Sequence, residues 1–228
     1  IQKLGLDEIQ IRALIGHESR FIHNAKNIKG SKGYMQLTGA PIRDLESRPQ
    51  LYAAHYSKID IRDLPESAPK ELRELIGIFQ EGPVSYKKIR GLIPGLLAKK
   101  DEPSVNLTIG SVYMSALENR IETQGVPEKI SNFVEKRIKT LNSSSFLSLV
   151  VRRVQDQLPQ SEISQVRNIF KSTRENLDLQ KQFLQLRDYN GNVSKYGSGI
   201  EHRDIYAAVV LVVSELAKKD SVMKSRIA

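Results

Sequence analysis

The chain has 228 residues, too many for a minimal domain and few for two full ones, so one core carrying an insertion is expected. Lys and Arg outnumber Asp and Glu by 35 to 26, and the resulting net charge of +9 is spread along the chain rather than gathered on one helix. That distribution points to an acidic partner but not to a nucleic-acid module. The absence of Cys excludes a disulfide scaffold or a thiolate metal site. A hydrophobic share of 39%, with 14 Gly and 9 Pro, excludes a low-complexity disordered chain.

Apolar spacing near 3.6 dominates and strict alternation is scarce, so the fold class is all-α. In chain order, the spacing predicts helices near 6–23, 50–58, 68–80, 85–98, 105–124, 127–141, 144–157, 160–173, 176–188 and 201–219. Pro127 suits a first helical turn, Ser161 an N-cap, and Gly125 a stop. The stretches Asn27–Gly33 and Tyr189–Gly199 read as ordered loops, where binding residues usually sit. The longest apolar run, Ile205–Val213, has nine residues, about half of what a membrane span needs. It reads instead as the buried central helix of the domain. Residues 121–181 are helical, basic and poor in Gly, and read as a helical insertion within a single domain, 1–228. The chain begins at Ile1 inside a helical pattern, which reads as a mature fragment without its signal peptide.

Glu18 draws attention first. The predicted first helix lines up Leu14, Glu18 and Ile22 at four-residue spacing, which sets a carboxyl in an apolar stripe. Desolvation there would raise its pKa, as a general acid near neutral pH requires. His17, His23, His55 and His202 have no metal-ligand spacing, and Gly30–Gly33 lacks the Lys-Ser/Thr of a phosphate loop, so no metal and no cofactor are expected.

Glu18-Ser19 is followed by Phe21, Ala25, Gly30 and then Gly33-Tyr34-Met35-Gln36-Leu37. This resembles the signature of the lytic transglycosylases with a goose-type lysozyme-like fold, in which a catalytic Glu-Ser precedes a Gly-Leu-Met-Gln loop at this spacing. Asn106, Gly110 and Tyr113 are similar to the family's Asn-x-x-x-Gly-x-x-Tyr helix. Tyr189-Asn190-Gly191 is similar to its Tyr-Asn-x-Gly turn, with the Gly one place early, and Glu201 and Tyr206 loosely echo its last element. Asn27 stands where the family commonly has Ser, Ser31 where it has Ala, and Tyr34 where it has Leu. The resemblance covers less than half of the chain, about 1–40, 104–120 and 183–215.

The resemblance implies a lysozyme-like catalytic domain with long helical insertions, acting on peptidoglycan glycan strands. Glu18 would be the catalytic acid and base at the β-1,4 bond between N-acetylmuramic acid and N-acetylglucosamine. Ser19, Asn27, Tyr34, Met35, Gln36, Asn106, Tyr113, Tyr189 and Asn190 would line the substrate site. A periplasmic or secreted monomer with no transmembrane segment is expected. Two alternatives stay open: a goose-type lysozyme hydrolysing the same bond with a second carboxylate, and a non-catalytic wall-binding scaffold. Asp44, Glu46, Asp188 and Glu201 are the acidic residues nearest the matched motifs.

Overall fold

A computed structural model describes residues 2–26, 30–124, 127–190 and 199–227. Among the described residues there are twelve α-helices and no β-strand, so the chain is all-α. The helices are α1 (Glu8–Ser19), α2 (Gly39–Ser47), α3 (Gln50–Tyr56), α4 (Lys70–Gln80), α5 (Tyr86–Ala98), α6 (Pro103–Gln124), α7 (Pro127–Leu141), α8 (Ser144–Gln155), α9 (Ile163–Glu175), α10 (Leu177–Asn190), α11 (His202–Lys219) and α12 (Ser221–Arg226).

Two compact units share these helices. The first comprises Ile1–Asp7 and Glu18–Ala116, the second Glu8–His17 and Leu117–Ala228. The stretch 121–181 belongs to the second unit, where α7, α8 and α9 pack with one another and with α10 and α11. They form part of the wall of that unit's core.

In the first unit, α5 packs on α2 and α4, and α3 packs on α4. Leu72, Leu75 and Ile76 of α4 are fully buried, as are Ile42 and Ile89, and the Tyr56 ring stacks on Phe79 at 4.8 Å. In the second unit, α11 is the axis. Every residue from Asp204 to Ser214 is buried, as the long apolar run predicts, and α7, α8, α9, α10 and α12 surround it. A helix apolar on all sides needs such an enclosure. Among the described residues no helix is long and apolar enough to cross a membrane.

The start of α11 carries a buried ion-pair network. Asp204 is fully buried, and Arg187 Nε donates to its Oδ1 at 2.7 Å while its Oδ2 accepts from the Glu201 backbone N–H at 2.7 Å. Arg187 Nη2 reaches Glu201 at 2.8 Å, and Arg137 and Arg187 both lie about 5 Å from the centre of the Phe133 ring. Hydrogen bonds to Arg203, with the Arg187 charge nearby, hold the Glu201 carboxyl below the usual carboxylate range.

Some helix ends differ from the sequence expectation. α2 starts after Thr38, whose hydroxyl accepts from Ala40 N–H, and Pro41 lies in its first turn, where no N–H is needed. The stretch after the Met-Gln loop is thus a helix absent from those the spacing predicts. The cap of α9 is Glu162 and not Ser161, because Glu162 and Gln165 cap each other. Gly125 lies outside the described residues. Tyr189 and Asn190 close α10 as helical residues, not as the start of a loop, and residues 191–198 lie outside the described residues.

In the second unit, His17 meets the edge of Tyr206 at 5.0 Å, and its Nδ1 lies 3.2 Å from Gln157 Nε2. Burial, aided by the Arg153 and His202 charges and opposed by Asp156, lowers its pKa from 6.5 to about 4. Between those values the unfolded chain binds a proton that the native state does not, so stability rises with pH across that window. We predict that unfolding by urea shows a loss of at most about 3 kcal/mol from pH 7 to pH 4 attributable to this residue. His17→Gln should flatten that part of the profile, and an unchanged slope would refute the assignment.

Candidate functional site

The end of α1 sets the geometry around Glu18. Leu14 is fully buried, but Glu18 is only half-buried, and the helix stops one residue later at Ser19. Arg20 and Phe21 take φ of 50° and 62°, left-handed values that are costly for residues with a side chain. The chain reverses there, with Ile22 N–H donating to Ser19 O at 3.0 Å. Ile22 therefore leaves the helix and is 52% exposed, so the predicted Leu14–Glu18–Ile22 stripe is broken after Glu18. The expectation of a carboxyl sealed among apolar side chains is corrected accordingly.

The Gly33–Leu37 loop folds back on this turn. Gly33 N–H donates to Ala25 O at 3.0 Å, and the Gln36 side-chain amide donates to both Ala25 O and Gly33 O, each at 3.0 Å. Lys32 and Leu37 exchange backbone hydrogen bonds that close the loop at its base. Gln36 holds φ at 45°, another left-handed non-glycine residue. The turn after Glu18 and the Met-Gln loop thereby form one hydrogen-bonded knot.

Helix α6 clamps this knot from its N-terminal half. Asn106 is fully buried, its Oδ1 accepting from Met35 N–H at 2.7 Å and its Nδ2 donating to Lys32 O and Lys100 O at 2.7 and 2.9 Å. Gly33, at φ 79°, passes so close that an added Cβ would lie 2.4 Å from Asn106 Nδ2. One turn further along α6, an added Cβ on Gly110 would lie 2.5 Å from Met35 Sδ. Gly110 thus serves close approach, here to the Met35 side chain. Lys100 Nζ donates to Gly30 O at 2.6 Å, and Lys32 pairs with Asp101 at 3.3 Å.

These contacts sort the expected site residues. Met35 and Asn106 are fully buried and Ser19 and Gln36 nearly so. Asn106 spends its amide on backbone, and Gln36 spends its N–H groups the same way, so both build the loop. Glu18, Tyr34 and Tyr113 are half-buried and reach the surface of the first unit. Tyr189 and Asn190 are half-buried residues of the second unit, and Asn27 lies outside the described residues.

The four acidic residues considered as a second carboxylate are all engaged. Asp44 accepts from Arg48 Nη2 at 2.6 Å on one oxygen and from the Tyr52 hydroxyl at 2.5 Å on the other. Burial, with Asp44 beside it, pushes the Tyr52 hydroxyl pKa up. Glu46 pairs with Arg90 at 2.6 Å, Asp188 with Arg120 at 2.7 Å, and Glu201 with Arg187 and Arg203. Sequence reasoning missed these partners, because Glu46–Arg90, Asp188–Arg120 and Glu201–Arg187 join residues distant in the chain. The Glu201-x-x-Asp204 spacing before an apolar run was the one local signal, a capping box. Among the described residues no cluster of three or more His, Asp or Glu is arranged to hold a metal ion.

Comparison of the chain with protein-family models, with curated proteins and with solved structures found no match.

Removing the clamp should loosen the site and the fold together. Asn106→Ala takes the Asn106 partner from the buried Met35 N–H and from Lys100 O, while Lys32 O keeps Leu37 N–H, an expected cost of about 2–4 kcal/mol. Gly33→Ala adds a clash at a left-handed position and should cost more than about 1 kcal/mol. Urea midpoints equal to wild type for both variants would contradict the clamp.

Proposed function

We propose that the protein cleaves peptidoglycan glycan strands as a lytic transglycosylase, with a lysozyme-like catalytic arrangement in its first unit. The observation that carries this reading is the knot joining the Glu18-Ser19 turn to the Gly33–Leu37 loop. It gives the two halves of the resembled signature one rigid neighbourhood, as a site that must orient a sugar requires. Half-burial of Glu18 suits a group that has to meet substrate while partly desolvated.

In this reading protonated Glu18 donates its proton to the glycosidic oxygen between N-acetylmuramic acid and N-acetylglucosamine. The C1–O bond breaks through an oxocarbenium-like state. The carboxylate so formed takes the proton of the muramic C6 hydroxyl, whose oxygen closes on C1. The product is a 1,6-anhydro end, and one carboxylate serves both steps. Tyr34 and Tyr113 in the first unit are the proposed glycan contacts beside Glu18. The ion pairs on Asp44, Glu46, Asp188 and Glu201 favour this route over hydrolysis, because an inverting hydrolase needs a carboxylate available to activate water. A periplasmic or secreted setting would follow from this substrate.

Glu18→Gln should keep the fold and lower turnover of purified sacculi by about 10³-fold or more, the scale of a lost general acid. Near-wild-type turnover would remove Glu18 from the mechanism. Mass spectrometry of the released fragments should show muramic ends about 18 Da lighter than hydrolysis products, the mass of one water. Reducing ends throughout would favour a lysozyme instead.

A further inference from the structure

Most large apolar side chains of the first unit are buried, but two consecutive ones just beyond Glu18 are not. Phe21 is 39% and Ile22 52% exposed. The backbone that presents them is strained, with Arg20 and Phe21 both left-handed. Non-glycine residues hold such φ values where the surrounding structure over-determines them, and they cluster at ligand-binding sites. Here the over-determination is visible: Ile22 is held by Ser19 O, Ala25 N–H donates to Ile22 O at 3.2 Å, and Ala25 O anchors both Gly33 and Gln36. The knot therefore fixes an apolar ledge in place at the expense of backbone strain. Alongside it, the exposed His23 ring lies 6.3 Å from the ring of half-buried Tyr34.

Size and composition narrow the occupant. Phe21 and Ile22 offer about 150 Å² between them, given the areas such side chains bury. A stable protein partner needs about 800 Å² on each side. The area instead matches the C–H face of one or two sugar rings, and the flanking imidazole and phenol suit the hydroxyl edges of such rings.

We infer that Phe21 and Ile22 form a saccharide ledge that binds an N-acetylated β-1,4 glycan next to Glu18. The inference rests on the proposed glycan-cleaving reading but is tested separately from it. Phe21 is the main platform, because an aromatic face covers a pyranose ring; Ile22 contributes apolar contact to the adjoining N-acetyl methyl group.

The test uses full-length Glu18→Gln protein, which should bind without cleaving, and a soluble hexamer of β-1,4-linked N-acetylglucosamine followed by calorimetry or NMR titration. Phe21→Ser should weaken binding about tenfold or more, Ile22→Ser by about threefold, and Phe21→Trp should retain it. Phe21→Gly removes the ring while relieving the left-handed strain, so a loss of binding there with an unchanged or raised melting temperature is not a loss of fold. Leu51→Ser, at another exposed apolar position of the first unit, should bind as the parent does. Hexamer affinity unchanged in Phe21→Ser and Phe21→Gly overturns the ledge, even if the Glu18 protein cleaves sacculi. Affinity for vesicles of anionic phospholipid that depends on Phe21, with none for the hexamer, also overturns it. Phe21-dependent hexamer binding by a protein that cleaves no sacculi upholds the ledge and overturns the cleavage reading.

Discussion

The three hydrogen bonds of Asn106 are the constraint on which the first unit's site depends. A buried amide is costly unless its polar atoms are satisfied, and here satisfaction comes only if Met35, Lys32 and Lys100 present their backbone groups at once. That requirement fixes the loop's path. Gly33 must then lack a side chain, and Met35 must lie against Gly110. With the loop fixed, Gln36 can reach Ala25, and the turn after Glu18 is fixed in its turn. The polar residues in this chain of contacts are scaffolding. The groups left to meet a ligand are the half-buried and exposed ones around them.

Much of the helical frame was legible because it is local. Pro127 opens α7 as a proline should, and the run Ile205–Val213 is the buried axis of the second unit. The missed helix α2 was hidden by Gly39-Ala40-Pro41, which reads as a turn unless Thr38 is recognised as its cap. The broken stripe after Glu18 was not legible for a different reason. Periodicity carries through Ile22, and nothing in the residue types of Arg20 and Phe21 announces left-handed backbone. Only the bonds made by Ala25 and Gln36 impose it.

The site residues divide along the same line. The resemblance named Asn106, Gly110 and Met35 in separate motifs, and the three meet in the fold, yet it could not separate residues that hold the loop from those that face outward. Burial makes that distinction, and burial depends on long-range packing. The partners of Glu46 and Asp188 were invisible for a similar reason, since Arg90 and Arg120 come close to their acids only through tertiary structure. The Arg187–Asp204 pair shows the cost of overlooking such contacts. Buried charges at those two positions make sense only as a pair, with Phe133 and Glu201 completing the surroundings of the guanidinium.

The enclosure of α11 has a consequence for how the chain reaches its native state. The second unit joins Glu8–His17 to Leu117–Ala228, and His17 meets Tyr206 across 189 positions of sequence. Closure of its core is therefore a highly non-local event, whose loop entropy is spent before the contacts that repay it exist. Until then the apolar faces of α7, α8 and α10 have no axis to cover, and a nine-residue apolar run waits in the open. Refolding should be slow for so helical a chain and prone to aggregation at high concentration, with the short-range packing of α2 to α5 forming first.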